Sequence, residues 1–489
     1  MKHLRFYYSA FMLTLIACSH SPAQPPLPAN PYGTFAKGAD ISWLPQMEAT
    51  GYIFRDDQGN VQDCLTILKD HGIESIRLRV WVNPSSNPQS GHNSPEEMVA
   101  MAKRVSEAGF RLMVDFHYSD SWADPGQQVK PAAWASHSFT QLKKDVYDHT
   151  YSVMKALEKE GIHPEWVQIG NEINPGMLLP DGSTSNYDKL TALLNSGFDA
   201  VKKVSPSSKV IIHLASGIDN AFCRHFFDRI SSAGARFDVI GLSYYPYWLK
   251  SDYTTTITAL AANLHDLASR YEKEVIIVEV GGLDTHAQNT KDTIIAVMDR
   301  VNAVPEARGI GIFYWEPQGT RSWSKYALSA WGKDSRPTIA LDAFLSNPQS
   351  RASMNDPDGS IHTIFSNSRE RYLSADSATG GNITASSATV ASDAQRFAMF
   401  ANNDGTISYK SLATGKYLSA PNTTNVLLAN SPHIGPAQKF ILIERADGFQ
   451  AIRSSEINTT WDISEDRALR SQWDDASGGW QSFSVFKEN

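Results

Sequence analysis

Two glutamates, Glu172 and Glu279, each close a short apolar run: Trp166-Val167-Gln168-Ile169-Gly170-Asn171-Glu172 and Val275-Ile276-Ile277-Val278-Glu279. A charged group at the end of an apolar strand gives up hydration, so it needs a partner or a function there. Two carboxyls reaching inward from such runs suit hydrolysis of a glycosidic bond. One donates a proton to the leaving oxygen and the other attacks, and retention of configuration needs them about 5–5.5 Å apart. The donor's pKa must be raised and the nucleophile must stay ionised, which a nearby Arg79 is expected to favour. Asn171 is placed to hydrogen-bond a sugar 2-hydroxyl. Other apolar runs end in Arg77 and Arg79, in Asp115 and His117, in Tyr244 and Tyr245, and in Trp315 and Glu316. Glu316 competes with Glu279 as second carboxylate. It follows an inward Trp315, and strand alternation would turn it outward, so it is rejected. A single strand-end glutamate is more often structural, and a lone histidine such as His117 is usually a core residue. The signal is the pair in register.

That register requires a frame. Eight apolar runs, at 37–43, 75–81, 111–117, 166–172, 209–214, 237–245, 275–280 and 309–315, read as buried parallel strands. Helical patterns lie between them, at 95–108, 142–160, 187–204, 257–271 and 290–301. Alternating strands and helices in this number predict an α/β fold, a (β/α)₈ TIM barrel, whose catalytic groups sit at the C-terminal strand ends. A doubly wound sheet would want a glycine-rich phosphate turn after the first strand. Asp40-Ile41-Ser42-Trp43-Leu44-Pro45 stands there instead.

Beyond residue 346 the helical periodicity disappears and short strands with Gly, Asn, Ser and Asp turns take over. Arg371-Tyr372-Leu373-Ser374-Ala375 recurs as Lys416-Tyr417-Leu418-Ser419-Ala420, with a weaker third copy at Thr460-Trp461-Asp462-Ile463-Ser464. Gln395-Arg396-Phe397 recurs as Gln438-Lys439-Phe440 and Gln481-Ser482-Phe483. Three such units resemble a β-trefoil of the fascin-like or ricin-like kind, an all-β domain. The expected organisation is a lipoprotein signal peptide at 1–17, a Pro-rich tether at 18–34, the catalytic barrel at 35–346, a linker at 347–357 and the trefoil-like domain at 358–489.

The barrel resembles glycoside hydrolase family 53, the endo-β-1,4-galactanases. The resemblance rests on Lys37-Gly38-Ala39-Asp40-Ile41-Ser42, on Arg77-Leu78-Arg79-Val80-Trp81-Val82-Asn83-Pro84, and on Asp115-Phe116-His117-Tyr118-Ser119-Asp120-Ser121-Trp122-Ala123-Asp124-Pro125. Gln128, Pro131 and Trp134 continue the last motif, and Gln168-Ile169-Gly170-Asn171-Glu172-Ile173-Asn174 and Ser243-Tyr244-Tyr245-Pro246-Tyr247-Trp248 follow. It spans the barrel, not the C-terminal repeats. It implies that Glu172 is the acid/base and Glu279 the nucleophile. Arg79, His117, Asn171 and Tyr245 would line the catalytic subsite, and Asp40, Trp122 and Trp315 would help build the sugar groove. For Trp122 and Trp134 the alternative is loop packing. The implied reaction is endo-hydrolysis of β-1,4-galactan without a cofactor. Some bacterial members carry calcium in a long loop after the seventh strand. Here that segment, 281–289, is short, and Asp284 and Asn289 are expected to be solvated loop residues, so no metal is assigned.

The chain has 489 residues and a formal charge of -8, which argues against a nucleic-acid partner. Its 12 Trp and 18 Tyr suit sugar faces, though such residues mostly fill cores. Lys2, His3 and Arg5 precede a short apolar run ending Leu15-Ile16-Ala17-Cys18, which looks like a bacterial lipobox lipidated at Cys18. Pro22, Pro25, Pro26, Pro28 and Pro31 follow, as in an extended tether. The expected setting is therefore the bacterial cell envelope, lipid-anchored, periplasmic or at the surface, with a monomeric chain. Cys64 and Cys223 read as buried free thiols. Two rival functions remain: a relative cutting another β-linked glycan such as mannan or glucan, and a non-catalytic glycan-binding lipoprotein.

Overall fold

The computed structural model describes residues 35–85, 92–423 and 426–488. Cys18 and the proline-rich segment lie outside the described residues.

Eight parallel strands close a barrel: β1 (Ala36–Asp40), β2 (Ser75–Val80), β3 (Arg111–Phe116), β4 (Trp166–Ile169), β5 (Lys209–Leu214), β6 (Val239–Tyr244), β7 (Glu274–Val280) and β8 (Gly309–Trp315). The order around the barrel is sequential, with β1 hydrogen-bonded to both β2 and β8. Between the strands run the helices α1 (Leu44–Ala49), α2 (Cys64–Asp70), α3 (Pro95–Glu107), α4 (Phe139–Lys159), α5 (Tyr187–Val204), α6 (Asn220–Ser232), α7 (Tyr253–Tyr271) and α8 (Ala287–Asn302). Local chemistry sets their starts. Ser94 caps α3 through a capping box with Glu97, Ser138 caps α4, and Asp219 and Asp252 cap α6 and α7.

The barrel interior is filled, not hollow. Met113, Trp166, Ile211, Val239, Ile276, Val278, Ile310 and Phe313 form its plug. Gly38 lets the Phe313 ring through, since a Cβ there would lie 2.3 Å from a ring carbon. This plug pushes the polar strand ends up to the C-terminal mouth. Strictly alternating strands would face Ile276, Val278 and Val280 inward and Glu279 outward. The pairing of β6 with β7 slips after Leu242 and Ile277, so that Ser243 pairs with Glu279. The bulge lets Val278 join the plug while Glu279 faces the mouth.

The C-terminal region is all β and shows three related units. Leu373, Leu418 and Trp461 sit in its core, each just after a register slip following Tyr372, Tyr417 and Thr460. The third copy therefore starts one residue earlier than the sequence alignment puts it: Asp462, not Ile463, stands where Ser374 and Ser419 stand. Phe397, Phe440 and Phe483 are core in all three units. Gln395 Nε2 donates to Ser374 Oγ at 3.0 Å and Gln438 Nε2 to Ser419 Oγ at 2.8 Å, which accounts for the repeated glutamine. Within 347–357, Ser350–Arg351 pairs with Phe483–Lys487. The barrel and this region share packing: Phe365, Tyr372 and Phe486 belong to the same core cluster as the barrel helices, and Arg300 of α8 lies 4.3 and 4.5 Å from the Phe365 and Phe486 rings.

Candidate active site

A cavity of about 500 Å³ opens at the barrel mouth, lined among others by His117, Trp122, Asn171, Glu172, Ser243, Tyr245, Glu279, Trp315 and Tyr326. Both glutamates face it. They arrive there by different routes. Strand β4 stops at Ile169, short of the expected residue 172. Gly170 and Glu172 then adopt left-handed backbone, φ 82° and 45°, which turns the Glu172 carboxyl over the mouth. Gly170 needs its missing Cβ, which would lie 2.6 Å from Ile173. Gln128 Nε2 pins this turn by donating to the Asn171 carbonyl at 2.8 Å and to that of Glu172 at 3.3 Å.

The electrostatic centre is Arg77, buried on β2. Its guanidinium pairs with Asp40 at 2.8 Å, Asp115 at 2.8 Å and Glu279 at 3.0 Å, and donates to Asn171 Oδ1 at 2.9 Å. The arginine expected beside the nucleophile was Arg79. The structure corrects this. Arg79 points from the same face of β2 but one pair higher, and it is bound to Glu316 at 2.6 Å and stacked 4.3 Å from the Trp122 ring. The reason given for rejecting Glu316 is corrected too. Glu316 has φ 49°, so the chain has already left the strand and the carboxyl swings back inside. It accepts from Arg79, from the Trp43 N–H at 3.1 Å and from Gln318 at 2.6 Å, and it is fully buried away from the cavity lining.

The remaining expected residues divide by depth. Trp122 and Trp315 are half-buried cavity walls, their rings 5.8 Å apart, with Trp43 and Tyr326 packed 5.0 and 4.8 Å from Trp315. Tyr245 donates its hydroxyl to Glu279 at 3.1 Å. His117 faces the cavity, with Nε2 3.0 Å from Asp115 and Nδ1 accepting from the Ala123 N–H at 3.2 Å. Asn171 Nδ2 donates to the Ala123 carbonyl at 2.8 Å. Asp40 lies below the cavity, accepting from Ser42 and Arg77. Trp134 packs on His149 away from the mouth. Asp284 is half-buried and ion-paired with Arg321 at 2.5 Å, not a solvated loop residue, while Asn289 is solvent-exposed as expected but lies in α8 and donates to Asp252 at 2.8 Å. Among the described residues no group of three or more His, Cys, Asp and Glu is gathered as for a metal ion. Cys64 and Cys223 are buried and unpaired with each other.

Three participants were given no role from sequence: Arg77 and Ser243, which stand in the quoted motifs, and His213, which does not. Ser243 Oγ donates to Glu172 Oε1 at 2.6 Å and lies 2.8 Å from His213 Nε2. The one available signal for His213 was a polar residue inside the apolar run Val210-Ile211-Ile212-His213-Leu214.

Burial pushes the Glu172 carboxyl up to about 7, against the opposing pull of the Ser243 hydrogen bond and of Arg77. Burial raises Glu279 as well, and the Glu172 carboxyl adds to the rise, while Arg77 opposes it. Of the two, Glu279 alone has a cation in contact among the described residues. An ion pair at 3.0 Å and a tyrosine hydroxyl donor hold its charged form, whereas Glu172 has a neutral hydroxyl neighbour. The arrangement is thus two buried carboxyls with unlike partners, one against a cation and one against a neutral hydroxyl, facing one aromatic-walled cavity.

The profile of Glycosyl hydrolase family 53 matches residues 36–344. The chain belongs to this family. It is 36% identical over 303 residues to the "Probable arabinogalactan endo-beta-1,4-galactanase A" of Aspergillus fumigatus, covering 58% of this chain and 83% of that protein. Among solved structures, the Ignisphaera aggregans GH53 catalytic domain is 31% identical with a TM-score of 0.59, covering 65% of this chain and 98% of that one. A structure from work on two fungal β-1,4-galactanases is 30% identical with a TM-score of 0.58, covering 64% of this chain and 99% of that one. The family match ends where the C-terminal all-β region begins.

Proposed function

We propose that this glycoside hydrolase is a retaining endo-β-1,4-galactanase, with Glu279 as nucleophile and Glu172 as acid/base. The observation that carries the roles is the asymmetry of partners: Arg77 is ion-paired with the Glu279 carboxyl, whereas the Glu172 carboxyl accepts from the neutral Ser243 hydroxyl. In the first step Glu279 attacks the anomeric carbon while the Glu172 proton passes to the glycosidic oxygen, whose bond to that carbon breaks. Glu172, now a carboxylate, then takes a proton from water, which attacks the anomeric carbon and releases Glu279. Tyr245 keeps the nucleophile's second oxygen oriented by donating to it. Trp315 and Trp122 offer flat apolar faces to the CH surfaces of the sugars. No step needs a cofactor.

The galactan specificity rests on the named relatives and on the strand-three motif that ends in Trp122-Ala123-Asp124-Pro125. Pectin side chains are the matching natural polymer. The C-terminal units are read as a β-trefoil, the chain as a monomer, and Cys18 as a lipid anchor to the bacterial cell envelope. Digestion of β-1,4-galactan, β-mannan and β-glucan in parallel tests the substrate, with NMR of the first-formed anomer testing the mechanism. Short galactooligosaccharides with an initial β-anomer are expected. Cleavage of mannan or glucan instead, or binding of galactan without cleavage, selects one of the two rivals.

A further inference from the structure

The acid/base carboxyl has two oxygens, and a proton on the wrong one would point away from the leaving group. Resting on the reading of Glu172 as acid/base, we propose that Ser243, itself oriented by His213, is a positioning residue that fixes which oxygen of Glu172 carries the proton.

His213 and Ser243 are buried, 0% and 4% exposed. His213 Nδ1 lies 2.9 Å from Gln168 Nε2 and 3.3 Å from the Glu172 backbone nitrogen. Both are donors. The amide orientation of Gln168 is set by its Nε2 bond to Asp115 Oδ1 at 2.6 Å. Asn171 Oδ1 also stands 3.0 Å from Nδ1, but it is an acceptor already taken by Arg77 at 2.9 Å, and the two hydrogens of Gln168 Nε2 go to Asp115 Oδ1 and to Nδ1. Nδ1 is therefore an acceptor, and the ring hydrogen is on Nε2. Burial, with Arg77 and His117 adding to it, holds His213 well below the usual histidine range, so the ring is neutral and has one hydrogen to give.

That hydrogen goes to Ser243 Oγ, 2.8 Å away. The serine hydroxyl then has its own hydrogen free for one direction only, towards Glu172 Oε1 at 2.6 Å. An oxygen that accepts this bond is a poor place for the carboxyl proton, which is left to Oε2. The relay thus fixes the proton's site without carrying charge. The groups that act on Glu172 come from several elements: Arg77 on β2, Asp115 on β3, Asp124 in the loop after β3, Tyr245 after β6 and Glu279 on β7, with His117 and His213 within the same cluster.

The test compares Ser243→Ala, Ser243→Cys and Glu172→Gln with the wild-type chain, each checked by thermal melting. The hydroxyl lowers the Glu172 pKa, so its loss should raise it. Activity needs the protonated acid and declines as pH rises through that pKa, so the basic limb of kcat/KM should move to higher pH in Ser243→Ala. Galactan, with its poor leaving group, should lose about tenfold in kcat with KM little changed, because a misdirected proton wastes orientation. The glycosylation burst with an activated aryl β-galactoside should fall far less, since that leaving group needs little protonation. Ser243→Cys keeps the shape with a weaker donor and should lie between. Equal losses on both substrates with an unmoved basic limb would make Ser243 merely structural and overturn the proposal. Wild-type behaviour of Ser243→Ala beside an inactive Glu172→Gln would overturn it too. A fully active Glu172→Gln would instead remove the acid/base reading itself.

Discussion

Replacing Arg77 with methionine should strip Glu279 of its ion-pair partner, at a cost set by their distance and burial. The pair is 3.0 Å apart with side chains 1% and 8% exposed, so solvent screening is weak. Two unit charges at that distance with an effective dielectric near 20 attract by about 5 kcal/mol. Asp40 and Asp115 lose the same partner, each from 2.8 Å. Breaking a buried pair from one side costs about 3–5 kcal/mol of stability, because a charge is left buried and unanswered. Part of this will be relieved when the orphaned carboxyls take up protons. For Glu279 the sign is fixed. Its folded pKa rises further, and the nucleophile must be ionised, so the acidic limb of the kcat/KM profile should move to higher pH. Arg77→Lys keeps the charge but not the fork that reaches Asp40, Asp115, Glu279 and Asn171 together, and it should fall between wild type and Arg77→Met. Urea melts and pH–rate profiles on galactan read the two effects separately. An Arg77→Met enzyme with wild-type melting and an unmoved acidic limb would refute the view that Arg77 is the electrostatic centre.

Glu172→Gln should be more stable than wild type at pH 8 but not at pH 4. The folded pKa of about 7 lies above the ordinary glutamate value, so wild-type stability declines as pH rises from about 4.5 to 7. Relieving that penalty is worth roughly 3 kcal/mol at most, readable by calorimetry at both pH values, and equal melting shifts at the two would contradict it. Truncation after Ser346 exposes the Arg300 face of α8 that Phe365 and Phe486 cover, so the barrel alone should melt at least several degrees lower or aggregate. A truncated barrel melting like the whole chain would show that the shared packing contributes nothing. Cys18→Ala should release the protein from membranes on fractionation, and a mutant still bound would refute the lipobox reading.

The barrel was legible because its strands are short apolar runs separated by capped helices, and the closed order adds no crossing that the chain order does not imply. Depth and direction at the mouth were not legible. Arg77 and Arg79 alternate correctly on β2, yet only barrel closure decides which of them meets Glu279. Glu279 is misplaced by strict alternation and is brought inward by a bulge whose residues, Val278 and Glu279, carry no turn signature. Glu316 defeats the same rule because its backbone is left-handed, and Glu172 reaches the mouth from outside the strand assigned to it. His213 is hidden in an apolar run because its partners, Gln168 and Ser243, come from neighbouring strands. In the C-terminal region the serine and glutamine repeats were readable, but the bulge at Thr460 and Trp461 shifted the third copy by one residue.

If Glu279 attacks the sugar and Glu172 does not, a trapped glycosyl group must sit on Glu279. Treating the protein with an activated 2-deoxy-2-fluoro β-galactobioside slows both steps, and the activated leaving group lets the covalent intermediate form and persist. Peptide mapping by mass spectrometry then locates the sugar. The expected result is one glycosyl group per chain, on Glu279, with time-dependent inactivation and none in Glu279→Gln. A label on Glu172 or Glu316, or no label with galactan products formed first as the α-anomer, would contradict it.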